Sequence, residues 1–95
     1  QHLTVEDRKV AAVLHQALMA AKDAVASGEQ SAAVVLRIAH EHFLNQPRVQ
    51  VEYLEIVDLA DMQPVKTIQG PVRATAAVWL GETRLIDNML CCPGE

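Results

Sequence analysis

The first apolar pattern along the chain has the period of a helix. Between residues 10 and 25, apolar side chains recur every three or four positions and share one helical face: Val10, Leu14, Ala17, Leu18, Ala21 and Val25. Thr4 suits the N-cap, and Asp7 stands where Glu or Gln usually completes a capping box. Ser27-Gly28 predicts the helix end, because glycine readily adopts the left-handed conformation found there. The pattern therefore predicts a long first helix.

A second helical pattern runs from Ser31 to about Asn45. Its wide apolar face contains Val35, Leu36, Ile38, Ala39 and Phe43. Pro47 predicts its end, because the residue before a proline favours extended geometry. Since only a short link containing Gly28 separates the two helices, we expect them to form an antiparallel helical hairpin.

Residues 49–59 change to the period of a strand. One face of this strand would carry Val49, Val51, Tyr53, Val57 and Leu59. Glu55 interrupts that face, while Leu54 and Ile56 make the opposite face apolar as well. A strand that is apolar on both faces is usually an inner one. We therefore predict that residues 49–59 form the central strand of a sheet.

The last third of the chain predicts two further strands. Asp61–Pro64 is typical of a turn and 65–68 of a short extended segment. Strands are predicted at 72–80 and 83–87, joined by Gly81-Glu82 in a type II′ hairpin. That turn sets Leu80 opposite Thr83, Trp79 opposite Arg84, Val78 opposite Leu85, and Ala77 opposite Ile86. The predicted fold class is α+β, a helical hairpin followed by a small, mainly antiparallel sheet of about three strands.

Composition and charge narrow the choice of partner. Ninety-five residues suit one domain. The net charge is −4 and the basic residues are scattered, so we expect no nucleic-acid partner. The longest apolar run, 76–80, is too short to cross a bilayer, and no membrane partner is expected. Cys91 and Cys92 are adjacent, which disfavours a bridge between them, and both are expected to be thiols in a reducing cytosol.

Three polar residues stand out as structural. The predicted alternation points the Glu55 carboxylate towards apolar neighbours, and a buried carboxylate must be paired or hydrogen-bonded. Arg73 and Arg84 lie on the other strands, so we expect one of them to form an ion pair with Glu55. Trp79, opposite Arg84, is expected to stack on its guanidinium group.

Neither a catalytic residue nor a metal site is predicted within the chain. His40 and His42 are two residues apart on a helix and point to different sides, whereas a helical zinc pair needs a spacing of four. The four glycines are isolated, unlike those of a phosphate-binding loop. We find no Ser, Cys or Lys with a base and an orienting partner at a recognised spacing.

Five segments, in this order, resemble the C-terminal domain of the pantothenate synthetase (pantoate–β-alanine ligase) family. They are Leu-Thr-Val-Glu-Asp-Arg at 3–8, Tyr-Leu-Glu-Ile-Val-Asp at 53–58, Gln-Pro-Val at 63–65, Gly-Pro at 70–71 before an apolar strand, and Thr-Arg-Leu-Ile-Asp-Asn at 83–88. His2 stands where the family usually has an aromatic residue, and Cys91-Cys92 has no counterpart.

The resemblance implies a two-domain enzyme of the coenzyme A pathway. Its N-terminal nucleotide-binding domain would use ATP and Mg²⁺ to make pantoyl adenylate. β-Alanine would attack this adenylate, giving pantothenate, AMP and pyrophosphate. The family's His-x-Gly-His, glutamine and Ser-Ser-Arg motifs belong to that domain. Residues 1–90 would then be the C-terminal lid domain, which binds neither ATP nor Mg²⁺ alone, and 91–95 a tail.

The same resemblance implies a position for the lid within the enzyme. Its closing edge would lie near the N-terminal junction, where Gln1, His2 and Arg8 come closest to the substrates. The partner would be the enzyme's own N-terminal domain, and the full-length enzyme a cytoplasmic homodimer. Two other hypotheses stay open, a free-standing protein-interaction module and an independent small enzyme. Ser-Ser-Arg-Asn immediately before Gln1 would favour the ligase over the interaction module.

Overall fold

The computed structural model describes residues 4–94 and has two helices packed on one face of a three-stranded sheet. The elements are α1 (Val5–Ala26), α2 (Ala32–His40), a 3₁₀ helix (Glu41–Phe43), β1 (Val49–Asp58), β2 (Val72–Leu80) and β3 (Thr83–Cys91). The strand order is β1-β2-β3, and both pairings are antiparallel. The predicted α+β fold class is confirmed.

The first helix matches its prediction closely. All six residues of the predicted apolar stripe are buried in the core. Thr4 and Asp7 form the reciprocal bonds of a capping box, so Asp serves here in the place of Glu. At the other end Ser27 is the C-cap, and Gly28 follows with φ of 108°.

The second helix is shorter than predicted. α2 ends at His40, and the chain tightens into the 3₁₀ helix instead of continuing to Asn45. Phe43, in that last turn, is 6% exposed and belongs to the core. The apolar pattern continued past the end of the α-helix because a 3₁₀ turn can still direct Phe43 inwards.

The prediction that 49–59 form the central strand is wrong. β1 is at the edge of the sheet, and β2 lies between β1 and β3. Part of the free side of β1 is covered by the following turn, where Asp58 N donates to Gln63 O at 2.9 Å and Val65 N to Ile56 O at 3.0 Å. This cover shields part of the edge of β1 from pairing with another strand.

A β-bulge in β1 inverts the predicted alternation. The pairing with β2 shifts between Val51 and Tyr53, so that Glu52 is the extra residue. Val49 and Val51 contact the core before the bulge, and Leu54 and Ile56 contact it afterwards. Because one inserted residue reverses the side on which every later residue lies, Glu55 is exposed rather than buried.

The β2–β3 hairpin has the predicted register. All four predicted pairs, from Leu80 opposite Thr83 to Ala77 opposite Ile86, are present. Gly81 has φ of 61° and Glu82 does not have positive φ, as a type II′ turn requires. β3 continues to Cys91 instead of ending at Asp87. The strand thus extends one residue into the segment 91–95 predicted as a tail, and Cys91 is fully buried.

The sheet has one covered face and one open face. The side chains of β2 that contact the helices are Val72, Ala74, Ala76, Val78 and Leu80. On the other side, which we call the outer sheet face, the register places Tyr53, Glu55 and Val57 of β1, Arg73, Thr75, Ala77 and Trp79 of β2, and Arg84, Ile86, Asn88 and Leu90 of β3. Neither described helix covers this face.

Candidate functional site

The N-terminus of α1 is occupied by its own side chains. Asp7 N donates to Thr4 Oγ1 and Thr4 N donates to the Asp7 carboxylate, both at 3.0 Å. Glu6 adds a second carboxylate to the first turn. A helix N-terminus attracts anions through its dipole and its unpaired N–H groups. Here the capping box already bonds to the free N–H groups, and two acidic side chains already interact with the dipole. Both effects disfavour the binding of a phosphate group at this helix start.

A groove of about 410 Å³ lies beside this helix start. Its apolar wall includes Val10, Val49 and Leu80. Glu6 of α1 and Arg48, just before β1, form an ion pair at its rim. Since both side chains are well exposed to solvent, this pair contributes little to stability and mainly connects the two segments.

A polar cluster occupies the outer sheet face near the β2–β3 turn. Arg84 donates to the Glu52 carboxylate through Nε at 2.8 Å and Nη2 at 2.9 Å, and Trp79 donates to it through Nε1 at 2.7 Å. The hydrogen bonds from Arg84 and then from Trp79 lower the pKa of the Glu52 carboxyl. The cluster therefore holds a guanidinium group and an indole ring in fixed positions on an open surface.

Glu52, not Glu55, is the carboxylate that pairs with an arginine. The prediction of a buried Glu55 paired with Arg73 or Arg84 is wrong, because the bulge turns Glu55 to the exposed side. Arg84 pairs with Glu52. Arg73 donates instead to Asn88 Oδ1 at 2.8 Å across the hairpin. Trp79 does lie opposite Arg84 as predicted, and the two side chains share the Glu52 carboxylate.

One signal in the sequence pointed to the bulge. The core-facing pair Val49 and Val51 is separated from the next pair, Leu54 and Ile56, by a step of three instead of two. Such a step within an otherwise alternating strand indicates one inserted residue. Glu52 follows Val51 directly, so it could have been identified as the inserted position.

The histidines and cysteines among the described residues do not gather into a metal site. Within residues 4–94, no three His, Cys, Asp or Glu side chains lie close enough together to hold a metal ion. His42 Nδ1 lies 3.3 Å from Ile38 O, and His15 Nδ1 lies 3.6 Å from the Asp87 carboxylate. Burial raises the pKa of the Cys91 thiol, which therefore stays protonated at neutral pH. Neither helix described is long and apolar enough to cross a membrane.

Comparisons with family models, with curated proteins and with solved structures all lead to the same family. Residues 1–90 match the model of the family described as pantoate-beta-alanine ligase. The chain belongs to the pantoate-beta-alanine ligase family.

The relatives are pantothenate synthetases. The one from Moorella thermoacetica is 39% identical over 90 residues, which are 95% of this chain and 32% of that protein. The one from Desulfatibacillum aliphaticivorans is 39% identical over 92 residues, 97% of this chain and 33% of that protein. A crystal structure of pantothenate synthetase from Thermus thermophilus matches with a TM-score of 0.82 at 33% identity, over 92% of this chain and 31% of that one. The chain thus spans about a third of the length of the relatives it matches.

The segments that carry the family resemblance occupy defined places in the fold. Residues 53–58 form β1 after the bulge, and 83–88 form the first two thirds of β3. Residues 63–65 bond to the free side of β1. Of the three residues predicted at a closing edge, Gln1 and His2 lie outside the described residues, and Arg8 is exposed on α1. Their position at the edge of a lid stays a prediction.

Proposed function

We propose that this chain is the C-terminal lid domain of an ATP-dependent ligase that joins pantoate to β-alanine through a pantoyl adenylate, releasing AMP and pyrophosphate. The observation that carries the proposal is the family match over residues 1–90, combined with relatives about three times as long. The same match favours a ligase domain over a free-standing interaction module.

The residues described here do not fit a triphosphate site. Such a site needs clustered N–H donors and cations. The start of α1 carries Glu6 and Asp7, and its capping box uses its own donors. The glycines with positive φ stand singly after α1, in the β2–β3 turn and near the C-terminal end. We therefore assign ATP and Mg²⁺ to the nucleotide-binding domain of the proposed enzyme.

The role that remains for this domain is closure over the substrates. An acyl adenylate is hydrolysable, so a domain that excludes water from it protects the intermediate while β-alanine attacks. In this proposal Gln1, His2 and Arg8 lie at the closing edge, and the complete enzyme is a cytoplasmic homodimer. The catalytic groups belong to the other domain.

The isolated chain should fold and yet catalyse no adenylation. Adenylate formation requires donors and cations around the phosphates and a carboxylate aligned for attack on the α-phosphorus. We expect no pantoate-dependent exchange of labelled pyrophosphate into ATP, and no ATP binding tighter than the order of millimolar by calorimetry. Exchange above the no-protein control that a substitution in this chain abolishes would contradict the proposal.

A chimaeric enzyme tests whether this domain supports the ligase reaction. In the Moorella thermoacetica enzyme, the matching third is replaced by residues 1–90 of this chain. The grafted enzyme should form pantothenate from pantoate, β-alanine and ATP, and the same enzyme truncated before the graft should not, because its adenylate would be open to water. A folded graft as inactive as the truncated enzyme would show that this domain does not serve the ligase reaction.

A further inference from the structure

The outer sheet face has an unusual share of the chain's aromatic residues. The chain has one Phe, one Tyr and one Trp. Phe43 lies in the core, whereas Tyr53 and Trp79 are half-buried on the outer sheet face. Large aromatic side chains usually contribute to the core of a domain, and those left on its surface are concentrated in protein interfaces.

The residues around these aromatics have the composition of an interface centre. Ala77 lies between its register partners Tyr53 and Ile86 at the centre of the face and is fully buried. Ile86 is 55% exposed and Leu90 45% exposed on the same face. Aromatic residues with apolar neighbours and arginine are the usual anchors of protein binding.

Several polar groups of the outer sheet face are already paired with one another. Glu52 binds both Arg84 and Trp79, and Arg73 binds Asn88. With Glu55, the face carries two carboxylates and two guanidinium groups, although the chain as a whole has a net charge of −4. A face with balanced charge and with both guanidinium groups already paired loses less free energy on being covered than one with unpaired arginines, and Glu55 is the carboxylate left for a partner.

We propose that the outer sheet face, centred on Ala77 between Tyr53, Trp79 and Ile86, packs against the nucleotide-binding domain of the same ligase. This inference rests on the proposed function, and it names the surface and the partner. The relatives are about three times as long as the matched segment, so the partner would be the larger remaining body of the enzyme.

The size of the face favours a tethered partner over a second copy of the chain. Three strands about 4.8 Å apart and nine residues long, at about 3.3 Å each, cover a projected area of roughly 400 Å², whose accessible surface is somewhat larger. A stable dimer of standard size needs about 800 Å² on each partner. A domain in the same polypeptide is present at an effective concentration on the order of millimolar, so a smaller contact suffices.

Hydroxyl-radical footprinting with mass spectrometry tests the proposal in the grafted Moorella enzyme. Labelling of Tyr53, Trp79 and Ile86 should fall by about threefold or more relative to the isolated chain, because an interface excludes water from its centre. Leu44 and Met19, exposed on the helical side at 68% and 37%, are the references and should be labelled equally in both. Protection of these references with an unprotected outer sheet face would overturn the proposal.

A matched pair of variants shows that the surface itself produces the protection. Ile86→Glu in the graft should return Trp79 labelling to the rate of the isolated chain, whereas Leu44→Glu should leave the protection in place. Labelling of the isolated chain that falls as its concentration rises would make a second copy the partner and refute the inference. Pantothenate formation by the graft is measured separately from the labelling. An active graft without protection refutes this surface alone, and an inactive graft with protection refutes the proposed function alone.

Discussion

The β2–β3 hairpin and β1 belong to the same sheet, yet the sequence predicted one register completely and the other only in part. In the hairpin, all four predicted pairs are present. In β1, the predicted alternation holds to Val51 and is inverted after Glu52. Both segments are rich in β-branched and apolar residues, so strand propensity does not explain the difference.

The difference is explained by what sets the register in each region. Gly81-Glu82 is a two-residue turn that joins the end of β2 directly to the start of β3. Its geometry fixes the first pair, Leu80 opposite Thr83, and every other pair of the hairpin follows from that one. β1 is reached from Pro47 and left through the turn at 61–64, far from its partner β2 in sequence. An inserted residue there costs only one unpaired position, and the packing of Leu54 and Ile56 on the helices compensates for it.

The largest expected effect tests which side of β1 faces the core. Ile56 is 1% exposed, so Ile56→Ala should lower the free energy of unfolding by about 2 to 5 kcal/mol. Glu55→Ala is the matched control one residue away and should change it by less than about 0.5 kcal/mol. Urea unfolding of the three proteins measures both values. A larger loss of unfolding free energy in Glu55→Ala than in Ile56→Ala would show that β1 has no bulge and that Glu55 faces the core.

A smaller effect is expected at the turn that determines the hairpin register. Gly81 has φ of 61° and open space where a Cβ would be, so Gly81→Ala should cost about 1 kcal/mol through backbone strain alone. Gly70→Ala is the control, because Gly70 also has open space but does not have positive φ. Thermal or urea unfolding should leave this control within about 0.5 kcal/mol of the parent. Equal stability of the two variants would show that positive φ does not determine the turn.

The smallest effect concerns Glu52. Hydrogen bonds from Arg84 and Trp79 lower the pKa of its carboxyl in the folded chain. The stabilisation from these bonds is present above the ordinary carboxyl pKa of about 4.3 and is lost as pH falls through the folded pKa. In a carbon-13 NMR titration, Arg84→Gln should raise the pKa of Glu52, whereas Arg73→Gln should leave it unchanged, because Arg73 bonds to Asn88. A Glu52 pKa that does not respond to Arg84→Gln would rule out this cluster in solution.

The candidate site was less predictable than the fold. Arg73 and Arg84 were predicted to offer a partner for Glu55, but Arg73 donates to Asn88 and Arg84 to Glu52. Partner choice depends on which face each side chain occupies, and the bulge changed that face for Glu55 alone among these residues. The proposed function came from the five segments that resemble the ligase family, since we recognised no catalytic motif by its spacing in the sequence.

The sequence by itself determined the features that depend on neighbouring residues. These are the capping box of Thr4 and Asp7, the buried stripe of α1, the end of α1 at Ser27-Gly28, and the register of the β2–β3 hairpin. Each results from hydrogen bonds, torsion preferences or an apolar period that the local sequence contains.

Only the tertiary structure decided the features that depend on distant residues. The packing of the helices against the sheet selects Leu54 and Ile56 for the core and so places the bulge at Glu52. It also shortens α2 so that Phe43 enters the core from a 3₁₀ turn, and it extends β3 to a buried Cys91. These choices follow from filling one shared core, whose free energy depends on residues brought together from the whole chain.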